Sequence, residues 1–225
     1  MSFFEILKRR LPEYELINRG KGGDTVLSLY KRIKNLQHDK PSDIAFLWVG
    51  TNDVFVKISN SYPILKTLVN QPWVRNPKEF ERYYRLSLDI LCQRANRVIT
   101  VPPLFMGEDI NNKWNQEMGK LSGIIEGVSA SYAKVKHLNL RKIIFPELDG
   151  KNLSEYLPTS LTRLALDTLL LKQKEQIDKK AFERGLFFTL DGVHLNNNGA
   201  ELVAETFLEI IKDMEDRQSI RGAYT

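Results

Sequence analysis

"DIAFLWVGTND", residues 43–53, is the stretch on which the fold turns. Behind Pro41 comes an unbroken apolar run from Ile44 to Val49, and Thr51-Asn52-Asp53 follows at once. A short run of this kind reads as a strand covered on both faces, the mark of a parallel sheet between helices. Working outward toward the C-terminus, residues 54–78 contain Pro63, Pro72 and Pro77 and read as an irregular loop with one helical turn. A helix is expected over Phe80–Asn96, with Tyr84, Leu88 and Leu91 inward. "RVITVPP" (97–103) reads as the next strand, ended by Pro102-Pro103, and "MGEDINNKW" as a loop. Residues 115–134 read as a helix and "KVKHLNL" (134–140) as a further strand.

Toward the N-terminus, Ser2 and Glu5 form a capping-box pattern, so a helix begins there. Phe3, Ile6, Leu7 and Leu11 share one of its faces, and Pro12 ends it. "YELIN" (14–18) reads as a short buried strand, and "RGKGGDT" (19–25) as a glycine-rich turn. The next helix carries Val26, Leu29, Ile33 and Leu36 at helical spacing. Residues 146–187 are less regular, though Leu161, Leu164, Leu169 and Leu170 mark a helix with a broad apolar face. A last helix is expected over Asn198–Asp216, with Val203, Phe207, Ile210 and Met214 in register and a loose tail after Arg217. Strands alternating with helices mean an α/β fold with a parallel sheet. Without repeats, low-complexity tracts or a linker, residues 1–225 are expected to form a single domain.

Bulk composition narrows the function. Apolar residues make 42% of the chain and charged residues 27%, an ordinary globular balance. The net charge of +5 arises from Lys and Arg interleaved with Asp and Glu. Lys8-Arg9-Arg10 is the densest basic cluster, and without a basic stripe and aromatics it reads as a solvated helix face, so no nucleic-acid partner is expected. No apolar run is long enough to span a bilayer, and no leader pattern opens the chain. The lone Cys92 cannot make an internal disulfide, and a cytoplasmic location is the expectation.

In open α/β sheets the chemistry sits at the carboxyl ends of the strands. Three such positions carry unusual residues: Asn18 to Thr25, Gly50 to Asp53, and Asp191 to His194. Gly23 precedes a helix, where a backbone N–H is free to meet an anion. Asn52 adds a side-chain amide donor at a strand end, and two such donors are the ingredients of an oxyanion hole. Asp191 and His194 stand three apart, so the carboxylate can hold Nδ1–H and leave Nε2 to take a proton. Each element alone has a plainer account. Asp-x-x-His is a common surface turn, Asn52 a strand-end cap, the glycines simple turns, and Asn196 to Asn198 a helix cap.

Together, "NRGKGGDT", "VGTND" and "DGVHLNNNGA" resemble the SGNH hydrolases, also called the GDSL esterase/lipase family. That family's N-x-G-x-x-G, G-x-N-D and D-x-x-H blocks are matched in order, and "VPPLFMGE" looks like its segment after the fourth strand. The resemblance spans essentially the whole chain. It implies a flavodoxin-like three-layer α/β/α sandwich with a parallel sheet, and hydrolysis of a small-molecule ester through an acyl-enzyme, without metal or cofactor. Carried onto this sequence, it makes His194 the base, Asp191 its partner, and Gly23 N–H and the Asn52 side chain the oxyanion donors.

The family's Gly-Asp-Ser block has no counterpart. Ser2 caps a helix, and Ser28, Ser42, Ser59 and Ser61 follow no buried strand in the required way, so no nucleophile is assigned. The expectation is an N-terminally incomplete hydrolase whose first, central strand is missing. Strand 14–18 is then expected to shift toward 43–50, or another segment to fill the slot, giving a four-stranded sheet. Two rivals stand beside this reading. One is a non-catalytic module that binds acylated carbohydrate. The other is a metal-dependent phosphoesterase built on Asp191, His194 and Asp53, against which His38 and His137 lie away from any third ligand. Trp73, Trp114 and Tyr156 are candidate walls of the cleft or ordinary packing residues.

Overall fold

A computed structural model of the protein describes residues 1–36, 40–58, 61–151, 153–157 and 176–222. Three parallel strands, β1 (Ser42–Trp48), β2 (Ala95–Val101) and β3 (Val135–His137), form its sheet in the order β1-β2-β3 among the described residues. β1 pairs with β2 from Ser42↔Ala95 to Trp48↔Val101, and β2 with β3 from Val98↔Val135 to Thr100↔His137.

Alternation along the strands splits the core in two. Phe46 and Trp48 of β1 and Ile99 and Val101 of β2 face one side. There they meet helices α1 (Phe3–Arg10), α7 (Leu140–Leu148) and α9 (Asn197–Gly222). Phe207 stacks on Phe46 with ring centroids 4.4 Å apart, and Phe3 lies 5.7 Å from Trp48. Leu47 and Val98 face the other side, against α2 (Val26–Lys34), α3 (Thr51–Phe55), α5 (Pro77–Arg94) and α6 (Lys113–Ser129). The expected α/β/α layering is therefore present, with β2 central and its Val98, Ile99 and Val101 fully buried.

Local rules account for the helix ends. The Ser2–Glu5 capping box forms as expected, and Thr25 with Ser28 makes a second one at the start of α2. Pro77 stands in the first turn of α5 behind the Asn76 cap.

Several expectations are corrected. Residues 14–18 form no strand, so the four-stranded sheet is not made by the described residues. Tyr14 and Leu16 touch the core while Ile17 stays 56% exposed, and the backbone has no ladder partner among the described residues. A strand needs a neighbour to satisfy its backbone groups, and β1 pairs only on its β2 side among the described residues. Among the described residues β1 is consequently an edge strand, half-buried rather than covered all round. The loop read at 54–78 instead contains α3 at its lip and α4 (Ser61–Leu68). β3 is shorter than residues 134–140, because the Asn139 side chain accepts the Arg141 N–H and starts α7. The tail read as loose continues α9 to Gly222. The helix expected around Leu161–Leu170, with His38 and Ser59, lies outside the described residues. No helix among the described residues is long and apolar enough to cross a membrane.

Candidate active site

Asn52 follows β1, and the loop 102–112 follows β2, so both stand beyond the carboxyl ends of neighbouring parallel strands. This rim carries the candidate site in two halves.

The first half is the Asp191–His194 turn. An antiparallel bridge, Thr189↔Leu195, closes it, and Leu190 N–H donates to His194 O at 2.8 Å. Gly192 lies at φ +82°, where a Cβ would stand 2.8 Å from the Tyr156 carbonyl oxygen and 3.1 Å from Gly107 Cα. Inside the turn, His194 Nδ1 and Asp191 Oδ2 are 2.7 Å apart, while Asp191 Oδ1 accepts the N–H groups of Val193 at 3.0 Å and His194 at 2.7 Å. Asp191 is fully buried; the His194 side chain is 38% exposed. Burial pushes the Asp191 carboxyl up, but the His194 ring and the two backbone donors outweigh it and hold it below the ordinary carboxylate range. An ionised, immobilised carboxylate on Nδ1 fixes the tautomer that leaves Nε2 as the proton acceptor. Of the three asparagines, Asn196 is a cap: its Oδ1 accepts the Gly199 N–H at 2.9 Å. Asn197 bonds Asp178, its Nδ2 donating at 2.6 Å.

Glu108, which closes the family-like segment "VPPLFMGE" but was given no role there, anchors this turn. It is fully buried, and its Oε1 accepts Phe188 N–H, Thr189 N–H and the Thr189 hydroxyl at 2.7–2.8 Å. Its Oε2 accepts Phe187 N–H at 2.6 Å. Gly107 N–H adds a bond to Gly192 O at 2.7 Å. The loop itself is held by Asn115, whose Oδ1 takes Met106 N–H and whose Nδ2 donates to Gly107 O and Asp109 O. The signal available in sequence was an acidic pair, Glu108-Asp109, one glycine beyond the apolar run Leu104-Phe105-Met106.

The second half joins Gly23 to Asn52. Asn52 Nδ2 donates to Asp24 O at 3.2 Å, which seats the amide on the glycine-rich turn. Gly23, at φ +81°, makes no backbone N–H bond among the described residues. Asp53, next to Asn52, is buried and its Oδ2 accepts Val26 N–H at 2.9 Å, holding the start of α2. Lys66 of α4 also enters this half, donating to Gly23 O, to Gln71 Oε1 at 3.1 Å and to Asn52 Oδ1 at 3.4 Å.

Tyr62, one turn before Lys66, is buried, and its hydroxyl has no hydrogen-bond partner among the described residues. Burial and the Asp191 charge both raise its pKa, so α4 places Tyr62 within electrostatic reach of one half and Lys66 in contact with the other. Tyr156 lies beside the first half, its ring under the Arg184 guanidinium at 4.5 Å. Trp114 packs with the core on the α5–α6 side, and Trp73 is half-buried behind Pro72, whose carbonyl takes the Thr25 hydroxyl. Among the described residues no group of three or more His, Cys, Asp or Glu is placed to hold a metal.

Asp53 supplies a pH prediction. Burial pushes its carboxyl from 3.8 up to about 7, against the opposing Val26 bond and Lys66 charge. Between those values the folded chain holds a proton that the unfolded chain has released, so stability falls as pH rises through that window. The rise corresponds to roughly 4 kcal/mol. Asp53→Asn keeps an acceptor for Val26 and removes the titration. Thermal melts from about pH 4 to about pH 8 should show a flatter decline than the parent; an equally steep decline would discard this assignment.

The architecture is a parallel sheet between helical layers, a fold shared with several solved esterases. Among solved structures, the chain is similar to the acetyl xylan esterase AlAXEase, at 22% identity and TM-score 0.64 over 93% of this chain and 90% of that one. It is similar to Axe2, an acetylxylan esterase from Geobacillus stearothermophilus, at 15% identity and TM-score 0.64 over 93% and 80%. It is also similar to LAE5, an alpha/beta hydrolase from the metagenome of Lake Arreo, at 18% identity and TM-score 0.62 over 92% and 80%. Catalytic mutants of Axe2 replace a serine, a histidine and an aspartate by alanine. No protein-family model and no curated protein matches the chain.

Proposed function

We propose that the protein is an ester hydrolase of the SGNH type. His194 is its base, Asp191 the orienter, and Gly23 N–H and Asn52 Nδ2 the donors to the oxyanion. The observation that carries this is the 2.7 Å contact between Asp191 Oδ2 and His194 Nδ1, with both N–H groups of the turn on the other carboxylate oxygen. The shared rim of β1 and β2, with Lys66 of α4 bonded to one half and Tyr62 of the same helix feeling the Asp191 charge of the other, supports their working as one site. The acetyl xylan esterase fold points to short acyl groups, acetyl above all, on a saccharide alcohol.

No serine of this chain is assigned as nucleophile. In this reading the serine comes from a further parallel strand laid along the open edge of β1, whose carboxyl end would present it to His194 Nε2. Its Oγ attacks the ester carbonyl carbon while its proton passes to Nε2, and negative charge gathers on the carbonyl oxygen between Gly23 and Asn52. The bond to the alcohol oxygen breaks, the alcohol leaves with the proton from Nε2, and water repeats the sequence to release the acid.

The test compares this chain with a version extended by the reading frame upstream of Met1, both with p-nitrophenyl acetate. Hydrolysis by the extended chain that His194→Ala removes is the expected result. Silence in both forms, with acetylated saccharide still bound, would replace the enzyme by a binding module on the same scaffold. Inhibition by EDTA would revive metal-assisted chemistry.

A further inference from the structure

Lys66 is 4% exposed, although Ile64 and Leu68 on the same short helix are 64% and 77% exposed. Burying an ammonium is costly unless its protons are taken. Among the described residues it donates to Gly23 O of the glycine turn, to Asn52 Oδ1, and to Oε1 of Gln71, which itself bonds that turn. Burial lowers its pKa, and the charges of Asp53 and Asp24 act against that.

Two details give these contacts a direction. An ammonium has no acceptor and a carbonyl has no donor. Lys66 on one side and Asp24 O on the other therefore settle which end of the Asn52 amide is which. Oδ1 is turned to Lys66, and the NH2 is turned away with one hydrogen beyond the Asp24 bond. On the turn, Gln71 Nε2 donates to Gly22 O at 2.9 Å. That carbonyl shares a trans peptide with the Gly23 N–H, so the two point in opposite directions. Gripping Gly22 O therefore aims Gly23 N–H away from Gln71. The clamp also explains the glycine: a Cβ at Gly23 would stand 2.5 Å from Gln71 Oε1 and 3.0 Å from Lys66 Nζ, at a φ of +81°.

We propose that Lys66 and Gln71 are positioning residues which jointly aim the Gly23 N–H and the Asn52 amide into one pocket for a carboxylate-sized oxyanion. The proposal deepens the ester-hydrolase reading and rests on it for the identity of the anion. Binding of a small carboxylate needs no nucleophile, so the two fail separately.

The probe is acetate, titrated into the 15N-labelled chain while the Gly23 backbone amide and the Asn52 side-chain amide are followed by NMR. Both signals should move with one common Kd. Lys66→Met should weaken acetate about tenfold, the loss of roughly one charge-assisted contact, and move the Asn52 amide pair toward the position of a solvated asparagine. Gln71→Glu keeps an acceptor for Lys66 but loses the donor to Gly22 O. It should abolish the Gly23 response and leave that of Asn52, a split that general destabilisation does not produce. Should Lys66→Met fail to fold, the Gln71→Glu split decides. Acetate binding unchanged in the variants, no split in Gln71→Glu, or no response of either amide in the parent chain overturns the proposal. Absence of His194-dependent hydrolysis would instead count against the ester-hydrolase reading.

Discussion

Glu108→Ala is expected to lower stability by roughly 3–5 kcal/mol, because a buried donor left without its acceptor costs about 1–3 kcal/mol and this change strands several. Three backbone N–H groups and a hydroxyl, from Phe187 to Thr189, all end on this one carboxyl group. The segment has little freedom to find other acceptors. Its Thr189 pairs with Leu195 across the turn, and Phe188 O already takes Asn196 N–H at 3.1 Å. Glu108→Gln keeps one acceptor oxygen but sets an NH2 group against an N–H, so a smaller loss of roughly 1–2 kcal/mol follows. Urea unfolding of the three proteins measures both. The next residues along the chain are Leu190 and Asp191, so the loosened segment should also cost any His194-dependent activity. An alanine variant within about 1 kcal/mol of the parent, less than a single stranded buried donor costs, would remove Glu108 from the role of anchor.

Gly199→Ala is the second large effect, and its sign runs against helix propensity. In an exposed helix interior, alanine is favoured over glycine by about 1 kcal/mol. Gly199 sits in the first turn of α9, where a Cβ would stand 2.1 Å from Phe188 O and 3.0 Å from Leu195 Cδ2. The first of these is backbone, tied by the Glu108 and Asn196 bonds, and cannot swing aside as a side chain would. A loss of roughly 3 kcal/mol is expected from such overpacking. Gly127→Ala is the internal control, because that glycine lies exposed in α6 with nothing within 4 Å of the added carbon. It should be neutral or stabilising by up to about 1 kcal/mol. Equal Tm shifts for the two substitutions would show that close contact at Phe188 does not limit residue 199.

Much of the scaffold was legible because its causes are local. The helix periodicity in Val26–Ile33, the Ser2–Glu5 box and the apolar run 44–49 each act over a few residues, and the structure forms the corresponding elements. The Asp191–His194 bond belongs to the same class, since both partners stand in one tight turn. Elements that depend on a neighbour were misread. "YELIN" has strand composition, but it finds no ladder partner among the described residues and forms no strand. Residues 54–78 carry proline and charge in a pattern that hides α4, whose burial of Tyr62 and Lys66 is settled by what they meet across the rim.

The amino-acid order by itself determined the alternating α/β plan with its parallel sheet and the pairing of a carboxylate with an imidazole, because both follow from short-range patterns along the chain. Tertiary structure alone decided that Glu108 would hold a segment some 80 residues further on, and that Lys66 and Gln71 would grip a glycine turn more than 40 residues earlier. Those partners are brought together only by packing on a common sheet. The gain from satisfying buried charge and backbone donors exists only once water has been excluded there.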